Sequence, residues 1–175
     1  RFIELKTVQV MDELEIPRPC IDAADEGYNV EWSQERKLEQ SGAEYIAAWV
    51  LVHILHHLLG FPGPVATIFN MSVGYNLEGI RSAPVVRWLE SMREASPIVD
   101  ELRGEIPDEF ARFRDYPFRT RLAAGATLST FHGTPAREVE RIGEFLVGEL
   151  GFHTVIKLNP PMLGRNRVEG ILHGV

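Results

Sequence analysis

The feature that most constrains the fold of this chain is a strand–helix–strand unit within residues 125–164. Apolar runs at 126–131 and 153–158 flank a segment, 136–150, whose apolar side chains recur every three or four residues. That spacing is typical of an amphipathic helix, and Thr134 is placed to cap it. A strand, a crossover helix and a second strand predict two parallel strands in a sheet that is covered by helices.

The same alternation runs through the rest of the chain. Residues 2–8 alternate as a strand does, a long helix ends before Gly60, and 66–73 read as another strand. We therefore predict an α/β fold with four βα units and parallel strands, which is a partial TIM-type (β/α)8 barrel because a complete one needs about 250 residues. A small doubly wound sheet is the alternative. Since half a barrel has two open edges, we expect residues 1–175 to be a fragment of one barrel domain.

Composition limits the partners and the compartment. The formal net charge of −7 argues against nucleic acid or an anionic membrane surface as a partner. One cysteine, Cys20, excludes an internal disulfide and a cysteine-rich metal site in this chain. Residues 45–61 are largely apolar but hold three histidines, so we predict a buried crossover helix and no membrane span. A cytoplasmic location is the resulting expectation.

Those histidines, His53, His56 and His57, have helical spacing, so metal binding would be geometrically feasible. Crossover helices face away from the sites of barrels, and no carboxylate adjoins the three on the helix. We interpret them as exposed or interface histidines and predict no metal site. The chain also lacks the glycine spacing of nucleotide-binding loops.

Side chains that can do chemistry lie near the carboxyl ends of the predicted strands, where α/β barrels build their active sites. Lys6 and Lys157 end the first and last strands, and a desolvated lysine requires an anion or a reactive carbonyl nearby. The set that we expect to meet at this end is Lys6, Asn70, Asn76, Ser129, His132, Lys157 and Asn159. Such a set would suit an anionic, hydrogen-bonding ligand such as a flavin phosphate.

Four short runs also resemble a known family: Lys6-Thr7, Tyr75-Asn76, residues 128–133 and residues 157–160. They are similar to the flavin-dependent barrel of dihydropyrimidine and dihydroorotate dehydrogenases. The chain looks more closely like bacterial proteins named as selenate reductase subunits, which carry runs similar to residues 1–9, 69–80 and 155–164. The likeness spans essentially the whole chain. It implies the second to fifth strands of the barrel in a much larger, multi-cofactor flavoprotein.

The resemblance implies that Lys6 and Lys157 contact FMN and that Asn76 contacts flavin or substrate. The predicted cofactor-binding residues are Lys6, Thr7, Asn70, Asn76, Ser129, Lys157 and Asn159. Iron–sulfur clusters and FAD are expected in the rest of a longer polypeptide or in partner redox subunits. The implied activity is electron transfer between the flavin and a small-molecule substrate or a partner redox domain.

One departure from the dehydrogenases bears on the chemistry. They carry a cysteine, their general acid or base, where this chain has Thr130, and a threonine hydroxyl barely ionises. His132 is the nearby group that titrates near neutrality, so His132, with Thr130 beside it, is the predicted catalytic pair. Two alternatives stay open, which are a non-catalytic scaffold or docking barrel and a lyase that uses Lys157 as a Schiff base.

Overall fold

A computed structural model describes residues 2–6, 37–129, 134–157 and 164–173. Within these ranges four strands form one sheet: β1 (Phe2–Leu5), β2 (Ile68–Val73), β3 (Ala123–Leu128) and β4 (His153–Ile156). They pair in the order β1-β2-β3-β4, and each pair is parallel. The predicted α/β fold with four parallel strands is confirmed, and the strands follow one another in chain order.

The strand order also decides between the two predicted architectures. A doubly wound sheet reverses its strand order at a switch point and so carries helices on both faces. Here the order never reverses within the described strands, so right-handed crossovers place the connecting helices on one face. The other face is left for the inside of a barrel.

Helices connect and follow the strands. Their bounds are α1 (Leu38–Leu58), α2 (Leu77–Ile80), α3 (Ala83–Arg93), α4 (Ser96–Glu105), α5 (Ala136–Glu144) and α6 (Arg165–Leu172), with a 3₁₀ helix at Asp108–Phe113 and a π-helical turn at Phe145–Glu149. Prolines start α3 and α4, where a missing N–H costs no hydrogen bond. No helix within the described ranges is long and apolar enough to cross a membrane.

The start of α5 differs from its prediction. Pro135 occupies the cap position, α5 begins at Ala136, and no side chain caps it. Thr134 is therefore not the cap, since Pro135 has an extended ψ of 142° and the helix begins only after it. At the other end, Gly151 adopts a left-handed conformation with a φ of 70°, which is typical of a glycine that ends a helix.

The hydrophobic core lies between the sheet and the helices. Phe69 of β2 packs edge-on against Trp49 of α1, with ring centroids 5.0 Å apart. The Trp49 indole N–H donates to the carbonyl oxygen of Arg119 at 2.7 Å. His53, one turn further along α1, is also buried and packs against Trp49 and Phe118. The interpretation of the three histidines as exposed or interface residues is therefore wrong for His53, because its turn of α1 faces the core.

The opposite face of the sheet, which we call the inner face, carries a different set of side chains. Parallel registers align Glu4 with Asn70, and Ser72 with Thr127 and Val155. Because side chains alternate along a strand, these residues and their neighbours two positions away share this face. Phe2, Ile68 and Val155 are exposed there, whereas the polar Asn70, Ser72 and Thr127 are buried.

Candidate functional site

The two predicted lysines lie at the same end of the sheet. Lys6 follows β1 and Lys157 follows β4, and both side chains are exposed. Alternation with Glu4 on one strand and Val155 on the other assigns both lysines to the inner face. Three inter-strand spacings separate the two strands, which puts their backbones roughly 14 Å apart.

A hydrogen bond to the backbone fixes the position of each lysine on its strand. The Lys157 N–H donates to the carbonyl oxygen of Leu128 at 2.9 Å, so the pairing of β4 with β3 continues past the strand end. The carbonyl oxygen of Lys6 accepts a hydrogen bond of 2.7 Å from the Tyr45 hydroxyl of α1. Burial is the main cause that raises the pKa of Tyr45, so this hydroxyl stays a donor at neutral pH.

Between the lysines, two hydroxyls join β2 to β3. Ser72 Oγ and Ser129 Oγ lie 2.7 Å apart, and Ser129 Oγ donates to the carbonyl oxygen of Val73 at 3.0 Å. With that proton committed, the bond between the two hydroxyls is donated by Ser72. A serine hydroxyl has one donor and two acceptor sites, so the pair has acceptor sites left for a further group.

Deeper in the sheet, Asn70 makes a second link between the same strands. Its Nδ2 donates to Thr127 Oγ1 at 2.6 Å, and both side chains are buried. The register shifts between Phe69 and Met71, which places Gly125 beside Asn70. A Cβ at Gly125 would lie 2.5 Å from Asn70 Oδ1, so the side chain of Asn70 fills space that only a glycine leaves.

Asn76 lies beyond the strand and ends the loop that leaves β2. Its Oδ1 accepts from the Gly79 N–H at 2.9 Å, so it is the N-cap of α2. The adjacent Leu77 N–H donates to Glu138 Oε1 of α5 at 3.0 Å. Side chains from two elements thus bind the first amides of α2 and hold it against the start of α5.

The structure therefore brings together part of the predicted site. Lys6, Ser129 and Lys157 share the inner face at the carboxyl end, Asn70 lies deeper on that face, and Asn76 follows β2 at the same end. Their predicted roles in ligand binding stay predictions. The remaining predicted residues, Thr7, Thr130, His132 and Asn159, lie outside the described residues.

Sequence reasoning missed four residues that organise this end: Tyr45, Gly125, Thr127 and Glu138. Two of them carried a usable signal. Thr127 lies two positions before Ser129, so both side chains point to the same face of the strand. Gly125 lies inside a strand, where a glycine often marks the close approach of another group. Tyr45 and Glu138 carried none, because their contacts join elements 39 and 61 residues apart.

The candidate site lies in a chain whose whole length, residues 1–175, matches the family model described as "Oxidoreductase YgfK, N-terminal TIM-barrel domain". The chain belongs to this family. The predicted TIM-type barrel is thereby confirmed, and the four described strands are the part of that barrel within the described residues.

Two curated relatives carry the YgfK name. The chain is 42% identical over 192 aligned residues to "Putative oxidoreductase YgfK" of Escherichia coli strain K12, and equally so to the protein of the same name from Escherichia coli O157:H7. Each alignment covers 98% of this chain and 19% of the relative. The chain thus spans about a fifth of the length of these YgfK proteins. No solved structure matches it significantly.

Proposed function

We propose that this barrel domain belongs to a flavin-dependent oxidoreductase and that the carboxyl end of its sheet holds FMN. Electrons would pass between this FMN and a small substrate or a partner redox domain. The observation that carries the proposal is the position of Lys6 and Lys157, two cations at the same end and on the same face of the sheet. Kinship with YgfK oxidoreductases supports the reaction class.

The donor set between the lysines fits such a ligand. Lys6 and Lys157 would hold negative charge, as on a phosphate or a reduced flavin ring. The Ser72–Ser129 pair offers acceptors, which suit N–H groups of a ligand and repel its anionic part towards the lysines. When bound, FMN would supply hydride and single-electron chemistry. His132 would hold or move the substrate proton, because the neighbouring Thr130 hydroxyl is a poor acid.

Within this class we place the domain beside the selenate reductase subunits that its sequence resembles. Iron–sulfur clusters and FAD would then lie in the rest of a longer polypeptide or in partner subunits. In that arrangement the barrel would exchange electrons with a neighbouring redox domain. The share of the YgfK relatives that lies outside the alignment leaves room for such domains.

The experiment is a flavin assay on the full-length polypeptide that carries this domain. We expect the wild-type protein to show a flavin absorption spectrum and to release FMN on denaturation. Lys157→Ala should lose most of the FMN, because leaving a buried ligand charge unpaired costs about 2–5 kcal/mol. Arg121→Ala is the matched control, since Arg121 is an exposed cation that precedes β3 at the opposite end of the sheet.

Two results would contradict the proposal. A wild-type protein that is purified colourless and stays so with added FMN would favour the scaffold alternative. Equal FMN content in Lys157→Ala and Arg121→Ala would show that the cation at the carboxyl end of β4 does not hold the flavin.

A further inference from the structure

Helix α1 is apolar on two opposite sides. Ile46, Trp49 and His53 face the core, whereas Leu51, Leu55 and Leu58 recur at helical spacing on the opposite side and are exposed. Leu59 and Phe61 extend this exposed surface past the end of the helix. We call these five residues the α1 patch. A helix that is apolar all round is normally buried on all sides.

The outward side of α1 changes character along its length. Its first turns present Gln40 and Glu44, at positions that lie on the same side as Leu51 and Leu55. Only the later turns are apolar there. A solvent-facing crossover helix would keep its polar pattern to the end, so the change marks a bounded surface rather than a generally apolar helix.

A groove of about 190 Å³ continues the α1 patch towards α4. Its walls include Leu51 and Ile54 of α1 and Leu102 and Ile106 of the α4 region, and Glu105 lies at its border. This volume suits one bulky apolar side chain. The carboxylate of Glu105 would favour a lysine or arginine next to that side chain.

Closure of the barrel does not account for this surface. Further strands of a barrel would pair with the open edges of β1 and β4 and cover the inner face of the sheet. The α1 patch lies on the far side of α1 from the sheet, since Trp49 of the opposite side packs on Phe69 of β2. The strands that would complete the barrel therefore do not cover this surface.

We propose that the α1 patch is the docking surface for another domain of the longer polypeptide in which this barrel domain occurs. The relatives have most of their length outside the aligned stretch, which covers 19% of each. The size of the patch agrees with a tethered partner. Stable complexes between separate chains use about 20–30 residues a side, whereas covalent linkage raises the effective concentration to the millimolar range and makes a smaller surface sufficient.

The test replaces Leu55 in the full-length polypeptide with the photo-cross-linking residue p-benzoylphenylalanine and identifies the attached peptide by mass spectrometry. We expect a cross-link to a segment outside this domain, with a yield that does not change on dilution. The attached segment should hold a bulky apolar residue next to a basic one. The same replacement at Val147 is the matched control, because Val147 is also an exposed apolar residue, 57% exposed against 43% for Leu55. We expect no such cross-link from Val147.

Three results would overturn the proposal. A cross-link from position 55 to the same domain of a second copy, falling on dilution, would assign the surface to a dimer. A cross-link to residues 7–36 of this chain would make it an internal contact. No cross-link beyond the level of the Val147 control would leave the patch facing solvent. None of these results depends on whether the domain binds FMN.

Discussion

At the scale of single residues, the inner face depends on one missing Cβ. Gly125 leaves space for the carboxamide of Asn70, and that carboxamide links β2 to β3 through Thr127. A shift in the register of the two strands between Phe69 and Met71 brings these groups together. Glycine is therefore required at position 125 by a contact between strands. Its backbone conformation does not require glycine, since Gly125 has no positive φ.

We expect Gly125→Ala to lower the free energy of unfolding by about 1–3 kcal/mol, because the added methyl group would overlap Asn70 Oδ1. Denaturant unfolding measures this. Gly143→Ala is the control, since a Cβ there has open space within helix α5 and should stabilise by about 0.5–1 kcal/mol. Equal stability changes in both variants would contradict the contact.

A second test asks whether Asn70 is the group that the added methyl group overlaps. Adding Gly125→Ala to an Asn70→Ala variant should cost less than adding it to the wild type, because the clashing carboxamide is gone. Additive losses would place the strain elsewhere, for instance at the carbonyl oxygen of His153, which lies 3.2 Å from the same added Cβ.

His53 gives the domain a pH-dependent stability. Its Nδ1 bonds the carbonyl oxygen of Trp49 at 2.9 Å, and its Nε2 is buried without a hydrogen-bond partner among the described residues. Burial lowers the pKa of His53 below the usual 6.5, the Trp49 carbonyl opposes this, and the nearby charges of Arg119 and His56 lower the pKa further. A proton on Nε2 would stand unpaired in an aromatic cluster.

Because the folded-state pKa is lower than the unfolded one, the unfolded chain binds more protons below pH 6.5. We expect the contribution of neutral His53 to the free energy of unfolding to be fully present above that pH. It should be lost as the pH drops from 6.5 towards the folded-state pKa. Denaturant midpoints measured across this range check it. His53→Gln should flatten the slope, because it removes the group that gains a proton on unfolding. An unchanged slope in His53→Gln would contradict the assignment.

At the scale of elements, the short helix α2 depends on its caps. Four residues cannot form a stable helix by propensity alone, because nucleation is costly. Asn76 binds the Gly79 amide and Glu138 of α5 binds the Leu77 amide. The loop after β2, where the candidate site lies, is thus positioned by its own cap and by a neighbouring helix.

Substitutions of Asn76 separate this capping role from a role in binding. Asn76→Ala should lower the free energy of unfolding by about 1 kcal/mol, whereas Asn76→Asp should keep it, because aspartate caps helices equally well. If the amide also contacts an anionic cofactor, FMN affinity should fall in Asn76→Asp despite full stability, since the new carboxylate repels the ligand. Unfolding curves and FMN titration of the full-length polypeptide measure the two effects. Wild-type affinity in Asn76→Asp would limit Asn76 to capping.

At the scale of the whole molecule, the two faces of the described sheet differ in how far they are covered by other elements. One is covered by helices, and the other exposes Phe2, Ile68 and Val155 between buried polar groups. A TIM-type barrel fills its interior with layers of such side chains from all eight strands. Membership of the YgfK barrel family therefore explains why apolar residues stand on an open face.

Val155 tests this explanation. Val155→Ser should reduce binding of a hydrophobic dye to the 175-residue chain, because the valine is 54% exposed on the inner face. In the full-length polypeptide, where a closed barrel would bury Val155, the same change should lower the free energy of unfolding by about 1–2 kcal/mol. Val147→Ser, on the outside of the domain, is the control. A stability loss no larger than that of the control would argue against a filled barrel interior at this position.

Local periodicity was enough to predict the fold class and the residues at the ends of the strands. Alternation marks a strand and a spacing of three or four marks a helix, and both can be read from neighbouring residues. The limits of the strands moved by a few residues, as with the predicted strand at 126–131 that is observed at Ala123–Leu128. The positions of Lys6 and Lys157 at one end then follow from parallel pairing alone.

Which side chains meet depends on how the elements pack. Asn70 and Thr127 are 57 residues apart, and their bond depends on a register shift that no local pattern predicts. The burial of His53 and the capping of α2 by Glu138 likewise depend on which faces of two helices pack together. The sequence of each element determines its periodicity. The register between strands and the face that each helix buries depend on how side chains pack when the elements come together.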